Sequence, residues 1–343
     1  MKTFKILAGL AIAAGTLAAC TKNQENTFSD FDYQTLYFGS QFPVRTVELG
    51  EDLFVDNSLD NERKVLVKAT MGGVRENKKD VVVGVSVDES LCNNLYFSAN
   101  GSKVIPLPSH YYKLASNEIT IPKGSILGGV EVQLTDAFFD DPLSLVNTYA
   151  LPLVMGNAKG GDSILRGVSS VANPNRSIDA HWVIKPRDFV LYALKYVNPW
   201  HGNYLRRGTD VITGSVQQTL VRHKPYVEND EVNKLSSASL SKLHFPVVFK
   251  NAGGTNVPCT LQLTFDASGN CTVASATTGV TASGSGRFVK KGDKNSWGNK
   301  DRDALYLNYT VDLSSQNMHV STNDTLVMRD RAVTMETFTP VFK

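Results

Sequence analysis

Hydrophobic and polar residues alternate along most of the chain after residue 31, and short runs of turn-forming residues interrupt the alternation. A period of two is typical of β-strands with one buried face, whereas amphipathic helices repeat every 3.6 residues. About seven such strands in about 150 residues, with prolines that argue against long helices, predict an immunoglobulin-like β-sandwich over residues 31–180. The predicted strands are residues 34–38, 46–49, 64–70, 81–87, 118–121, 130–134 and 149–155.

Residues 181–343 continue the alternating pattern with short turns. Eight or nine consecutive strands favour a closed, antiparallel up-and-down β-barrel, because closure removes exposed strand edges. Residues 188–197 contain a continuous apolar run, so that a helix and a buried strand both remain open there. The other predicted strands are residues 202–211, 214–223, 242–250, 260–265, 271–276, 284–290, 304–312, 325–328 and 332–338. The whole chain is therefore predicted to be all-β.

The first twenty residues have the pattern of a bacterial lipoprotein signal peptide. Lys2 and Lys5 precede an apolar run over residues 6–14, and small residues then lead to Cys20. We expect cleavage before Cys20 and attachment of lipid to this cysteine, because the run is shorter than the roughly 20 residues that span a bilayer. Residues 21–30 are polar and predict a tether. Thr21 follows in place of the aspartate that retains such proteins in the inner membrane, which favours a lipid-anchored, surface-exposed outer-membrane protein.

Charge argues against a nucleic-acid partner. Because Lys2 and Lys5 would leave with the signal peptide, the 35 basic residues fall to 33 and equal the 33 acidic ones. A neutral chain has no overall field that attracts polyanions.

No disulfide is expected among the three remaining cysteines, Cys92, Cys259 and Cys271. If Phe265 faces Cys271 across the turn at residues 266–270, then Cys259 faces Thr277. Cys259 then lies six residues from Cys271 along the ladder, about 20 Å at about 3.3 Å per residue. A disulfide needs Cα atoms within about 7 Å.

The sequence contains no motif that indicates catalysis, a metal or a cofactor. The six histidines are dispersed, and no HExxH, paired-cysteine zinc spacing, EF-hand loop, GxSxG or P-loop can be found. The acidic pairs Asp140-Asp141 and Asp301/Asp303 are more simply explained as a turn before Pro142 and as surface ion pairs than as the carboxylates of a glycosidase. We therefore predict a non-enzymatic protein without metal, cofactor or catalytic residues.

Aromatic and polar residues cluster in two segments, which makes them candidates for ligand binding. An indole can cover the apolar face of a sugar ring while polar side chains bond to its hydroxyl groups. A tryptophan at the start of a barrel strand also commonly closes the bottom of the barrel, and for Trp200 this structural role is favoured. The candidates are Trp200, His201, Tyr204, Arg206 and Arg207 in the first segment, and Trp297, Asn299 and Asp301 in the second.

The order of these features resembles the two-domain surface lipoproteins of Bacteroidetes that are often encoded beside polysaccharide-utilisation genes. The resemblance covers nearly the whole mature chain. It is carried by the lipoprotein signal, residues 36–38 (LYF), 112–114 (YKL), 119–124 (ITIPKG), 149–153 (YALPL), 196–204 (YVNPWHGNY), 296–302 (SWGNKDR), 305–309 (LYLNY) and the closing segment 324–342. It implies an N-terminal immunoglobulin-like domain, a C-terminal β-rich, lipocalin-like domain, and glycan capture or adhesion without an established catalytic motif.

The leading hypothesis is a surface lipoprotein that binds glycan, with the membrane reached through its lipid. A structural or adhesive protein that contacts other surface lipoproteins is the first alternative. A barrel that holds a small apolar ligand is the second.

Overall fold

The computed structural model describes residues 31–343. The predicted signal peptide with Cys20 and the tether over residues 21–30 lie outside the described residues. Within residues 31–343, no helix has the length and apolar character needed to cross a membrane.

Short strands connected by loops build the first part of the chain. The strands are β1 (Thr35–Tyr37), β2 (Pro43–Glu48), β3 (Lys64–Gly72), β4 (Val81–Val87), β5 (Leu95–Tyr96), β6 (Ile105–Pro106), β7 (Tyr112–Leu114), β8 (Glu118–Ile121), β9 (Leu127–Leu134), β10 (Tyr149–Lys159), β11 (Ser163–Ile164), β12 (Val168–Ser169), β13 (Trp182–Ile184) and β14 (Phe189–Val197). The helical turns are α1 (Ser58–Asn61), α2 (Asp136–Asp140) and 3-10 turns at Glu89–Cys92, Ser109–Tyr111, Pro142–Leu145 and Asp179–His181.

Longer strands build the second part. They are β15 (Gly202–Gly214), β16 (Gln218–Arg222), β17 (Glu231–Ser237), β18 (Lys242–Lys250), β19 (Asn256–Phe265), β20 (Asn270–Ser275), β21 (Thr281–Asp293), β22 (Arg302–Leu313) and β23 (Met318–Asp330). The final strands β24 (Glu336–Thr337) and β25 (Val341–Phe342) follow, with 3-10 turns at Val227–Asn229, Trp297–Asn299 and Ser314–Gln316.

Two main sheets form the N-terminal domain, in addition to the short two-stranded sheets β12-β13 and β5-β25. One has the order β11-β1-β3-β9-β7 and the other β24-β2-β14-β10-β4-β8. Alternate side chains of both sheets meet in one core, in which Val65 and Val132 from the first sheet join Val83, Leu151 and Leu153 from the second. Each strand predicted between residues 34 and 155 is present, because burial of one face dictates the period of two.

Strand β14 settles the segment that the sequence left open between a helix and a buried strand. It pairs antiparallel with β10 and parallel with β2, in the middle of the second sheet. Both faces of such a strand are covered, which explains its continuous apolar sequence. Through this pairing β14 belongs to the first domain, which therefore extends beyond residue 181. The sequence pattern places the start of the second domain at residue 181.

The end of the chain returns to the N-terminal domain. Strand β24 pairs with β2, and β25 pairs with β5. The prediction of a barrel strand over residues 332–338 was therefore wrong.

The C-terminal domain is a closed antiparallel barrel of eight strands, β15 and β17–β23, as predicted. Closure is made by β15 and β23, which pair from Asn203 to Gly214. Strand β16 pairs with the second half of β15, and β17 pairs with the first half of β15. The sequence pattern missed β17.

Side chains fill the barrel. Tyr204, Phe245 and Tyr309 are fully buried, and Leu305, Leu307 and Val311 face the core as their alternation predicts. Phe265 pairs with Cys271, which confirms the predicted register, and Cys92, Cys259 and Cys271 are free thiols.

Candidate functional site

The chain passes from the sandwich to the barrel through residues 198–201, which are fixed to the barrel. Asn198 is fully buried, and its Nδ2 donates hydrogen bonds of 2.8 Å to the carbonyl oxygens of Ser239 and Lys242. Its backbone N–H donates to Oγ of Ser237 at 2.8 Å. These bonds therefore hold Trp200 and His201 at set positions relative to the barrel.

Arg331, which follows β23, ties the two domains together. Its guanidinium donates to the carbonyl oxygens of Leu49 and Glu51 in the sandwich and of Asn198 and His201 in the linker, at 2.8–3.1 Å. Two separate clefts lie between the domains, one lined by Trp200 and the other by His201.

The first, which we call the front cleft, contains Trp200 and has a volume of about 700 Å³. One face of the indole is covered by the ring of Phe265, with centroids 4.1 Å apart and planes within 10°. One face of Trp200 therefore packs against the barrel core, while the half-buried indole also lines the cleft. The other walls are residues 49–51, Asn61 and Arg63 from the sandwich, and residues 267–269, 287–290 and Asp303 from the barrel.

Charged side chains surround Trp200 in the front cleft. The side chain of Arg287 is exposed, and its guanidinium has no hydrogen-bond or ion-pair partner among residues 31–343. Asp303 is buried, and its Oδ1 accepts a hydrogen bond of 2.7 Å from the backbone N–H of Lys291. Lys290 pairs with Glu51 at 3.2 Å across the domain boundary. The cleft thus offers hydrogen-bond donors and acceptors around an apolar ring.

His201 lines a second cleft, which we call the back cleft and which has a volume of about 480 Å³. Its Nδ1 accepts a hydrogen bond of 3.0 Å from the backbone N–H of Ser237. Burial, and next the positive charge of Lys234, lowers the pKa of His201 to about 3, so the ring is neutral at pH 7 with its proton on Nε2.

Tyr204 and Arg206 do not reach either cleft, because they point into the barrel. The hydroxyl of Tyr204 donates to the carbonyl oxygen of Trp200 at 2.7 Å, which fixes the backbone of the tryptophan. Nε of Arg206 donates to Asp324 at 3.0 Å, and Nη2 donates to the hydroxyl of Tyr309 at 3.1 Å. Both side chains are buried and hydrogen-bonded within the protein.

Arg207 faces the opposite side of the same strand. Its Nε donates to the buried carboxylate of Asp230 at 2.6 Å, and Nη1 lies 3.3 Å from Nε2 of His223. It is therefore separate from both Arg206 and Trp200.

The second predicted segment forms a loop of its own. The guanidinium of Arg302 stacks on Trp297, with Cζ 3.4 Å from the ring centroid. Asn299 is exposed with a left-handed φ of 55°, and exposed Asp301 pairs with Lys294 at 2.9 Å. Trp297, Asn299 and Asp301 do not line the front cleft, whose lining instead includes five residues absent from the predicted set: Glu51, Asn61, Arg63, Arg287 and Asp303.

Asp141, the second residue of the acidic pair at residues 140–141, has a structural role. Asp141 accepts hydrogen bonds from the hydroxyls of Tyr149 at 2.6 Å and Tyr111 at 3.0 Å, and it caps the following 3-10 turn. Across residues 31–343, no three histidine, cysteine or acidic side chains are grouped as metal ligands would be.

Comparison with known proteins identifies the family. A model described as "Domain of unknown function (DUF5627)" matches residues 199–332, and a second model, of an N-terminal domain, matches residues 31–162. A crystal structure of a Bacteroides ovatus protein of unknown function is 49% identical with a TM-score of 0.87, over 91% of this chain and 100% of that one. The chain belongs to this two-domain family.

Membership of this Bacteroides family confirms the two-domain part of the predicted resemblance. A crystal structure of an auxiliary nutrient binding protein from Bacteroides thetaiotaomicron is 12% identical with a TM-score of 0.38, over 83% of this chain and 90% of that one. A similarity at this level establishes no shared function. No curated protein matches the chain.

Proposed function

We propose that the protein is a non-enzymatic, lipid-anchored glycan-binding protein of the bacterial surface, and that the front cleft is its binding site. The observation that carries this proposal is the position of Trp200, which is held flat against Phe265 and lines a cleft rich in charged groups. A fixed indole provides the apolar surface that sugar rings require.

The polar groups of the front cleft match the other side of a sugar. The unpaired guanidinium of Arg287 supplies donors, and the carboxylate of Asp303 supplies an acceptor to a hydroxyl group. Because these side chains come from the barrel and Glu51 and Arg63 come from the sandwich, the ligand would contact both domains.

The predicted lipid on Cys20 would place many copies of this cleft on one membrane. Weak contacts with single sugars would then add through multivalency on a polymeric glycan. This supports capture of polysaccharide over binding of a single small molecule.

An apolar ligand inside the barrel is disfavoured by how the barrel is filled. Tyr204, Phe245 and Tyr309 occupy the interior, and Arg206 and Asp324 form a buried ion pair there. A ligand would have to displace these side chains and leave the charges unpaired, which costs several kcal/mol.

Affinity electrophoresis of the full-length chain in mild detergent tests the front cleft against a panel of plant, host and fungal polysaccharides. We expect retardation by at least one glycan, lost in Trp200→Ala and weakened in Arg287→Gln. Trp297→Phe is the matched control, because Arg302 covers that ring, and it should bind like the wild type. No retardation on any glycan, or unchanged binding by both cleft variants, would overturn the proposal.

An exposed apolar surface supports adhesion to another protein as the second candidate function. Phe31 and Tyr33 are 73% and 58% exposed, and together with Tyr37 they line a shallow apolar depression of about 570 Å³. Exposed apolar patches of this kind mark protein contacts. A photo-crosslinking residue at position 33 on intact cells should capture one defined surface protein, whereas the same residue at exposed Lys113 should not.

A further inference from the structure

The back cleft has a net positive lining that the front-cleft proposal does not use. Lys195 and Lys234 contribute the positive charges, whereas Glu336 is its one acidic residue. Glu336 is already engaged, because both of its carboxylate oxygens accept hydrogen bonds from Nζ of Lys195 at 2.8–2.9 Å. The positive charge of Lys234 therefore has no acidic counterpart in the cleft.

Lys234 is available to a ligand. It is exposed on the outer face of β17, and its side-chain ammonium group forms no hydrogen bond or ion pair with any residue from 31 to 343. Its charge is close enough to disfavour protonation of His201, which places the two side chains in the same electrostatic environment.

His201 supplies the second, independent feature. Only 8% of it is exposed, and its Nδ1 is occupied by the backbone N–H of Ser237. Its Nε2–H has no acceptor within the described part of the chain, although the residue lines the cleft. Because the ring lines the cleft, this donor is open to water or to a ligand there.

The remaining walls fit a sugar more closely than a small inorganic anion. Leu145, Val146 and Val333 give the cleft an apolar wall, and Ser236 adds a hydroxyl group. We propose that the back cleft binds an anionic sugar residue, whose carboxylate or sulfate contacts Lys234 and Nε2–H of His201 while its C–H face lies against the apolar wall. This binding does not depend on the front cleft.

Isothermal titration of the full-length chain in mild detergent tests this proposal with three probes of equal length: tri-galacturonate, a sulfated galactose trisaccharide and a neutral galactose trisaccharide. We expect at least one anionic probe to bind, with affinity that falls as salt rises, and the neutral probe to bind at least tenfold more weakly. The two anionic probes distinguish carboxylate from sulfate.

Two variants locate the bound group. Lys234→Gln removes an exposed charge and should lower the affinity for the anionic probe by about three- to tenfold. His201→Asn keeps an acceptor in the position of Nδ1 for Ser237 and removes the donor in the position of Nε2, so it should weaken the same probe while thermal unfolding shows a folded protein. Exposed Lys113→Gln is the charge-matched control and should have no effect.

Trp200→Ala separates this site from the front cleft, because it should leave binding of the anionic trisaccharide unchanged. Failure of all three probes at millimolar concentration, or equal binding of the neutral probe, would overturn the proposal. Unchanged binding in both Lys234→Gln and His201→Asn would also overturn it.

Discussion

Arg331 and Asn198 are joined by a hydrogen bond of 2.8 Å, from Nη2 of the arginine to the carbonyl oxygen of the asparagine. The same nitrogen donates to the carbonyl oxygen of Leu49 at 2.8 Å, and Nη1 lies 3.6 Å from the carboxylate of Glu48. One buried side chain at the end of the barrel thus donates hydrogen bonds to carbonyl groups of both the linker and the sandwich.

Replacement of Arg331 should destabilise the protein more than any exposed arginine. Arg331→Met leaves buried carbonyl groups without donors and Glu48 without its positive neighbour, so we expect a loss of about 3–5 kcal/mol in the free energy of unfolding. Urea denaturation followed by circular dichroism measures it. Arg329→Met, at a half-exposed neighbour, should cost less than about 1 kcal/mol, and equal losses in the two variants would contradict this role.

Glu48 should make stability decrease as the pH rises. Burial raises the pKa of Glu48 from 4.5 to about 7, against the opposing charge of Arg331. Between these pH values the folded state holds a proton that the unfolded state has released, so stability is lost as the pH rises from about 4.5 to 7. Glu48→Gln cannot titrate and should remove this slope in melting temperatures measured at steps of pH.

His201 should produce the opposite slope. Because its pKa is lowered to about 3, the unfolded state binds the proton first, and stability is lost as the pH falls from about 6.5 to 3. The two slopes oppose each other between about pH 4.5 and 6.5. Glu48→Gln should therefore melt higher as the pH rises through this window, whereas His201→Asn should melt lower; parallel curves for both variants would show that neither residue titrates as described.

The sequence pattern predicts most strands because burial of one face imposes the period of two. It misses β17, in which only Asn233 and Leu235 are buried, so the apolar alternation is too weak to recognise. It also places residues 332–338 in the barrel, because pairing of β24 with β2 joins residues nearly 300 apart and no local pattern reports such a contact.

The candidate site was less predictable because its residues come from distant parts of the chain. Trp200 and Arg287 both line the front cleft, yet their positions in the sequence are 87 residues apart. The strand period does contain one usable signal. Arg206 and Arg207 are neighbours in a strand and must face opposite sides, so they could not share one site. In the structure Arg206 points into the barrel and Arg207 pairs with Asp230.

Asp324 should be the most sensitive carboxylate of the barrel. Its Oδ2 accepts from Arg206 at 3.0 Å and from the hydroxyl of Tyr309 at 2.9 Å, and Oδ1 accepts from Arg222 at 2.5 Å. Asp324→Asn leaves two guanidinium groups with too little negative charge, and we expect a loss of about 3–5 kcal/mol in the free energy of unfolding.

A matched change and a double variant test this assignment by urea denaturation. Asp312→Asn, at an exposed position of β22, should cost less than about 0.5 kcal/mol. Adding Arg206→Met to Asp324→Asn removes one unpaired charge and should restore part of the loss. A double variant less stable than Asp324→Asn alone would mean that the cost comes from packing and not from charge.

Phe265 should control glycan binding without touching the ligand. It does not line the front cleft, yet its ring lies 4.1 Å from that of Trp200 and fixes its plane. Phe265→Leu should cost about 1–2 kcal/mol of stability through lost burial and lost stacking. It should also lower the affinity for a glycan retarded in affinity electrophoresis by several fold, because the indole is no longer held in one orientation.

Phe249→Leu is the control that separates these two effects. Phe249 is equally buried in the barrel, near the opposite end of the ladder between β18 and β19. We expect the two variants to lose similar stability in urea denaturation, since each removes part of a buried aromatic ring. Only Phe265→Leu should lower the affinity for the glycan. Equal affinities in the two variants would show that the stacked pair does not position Trp200 for binding.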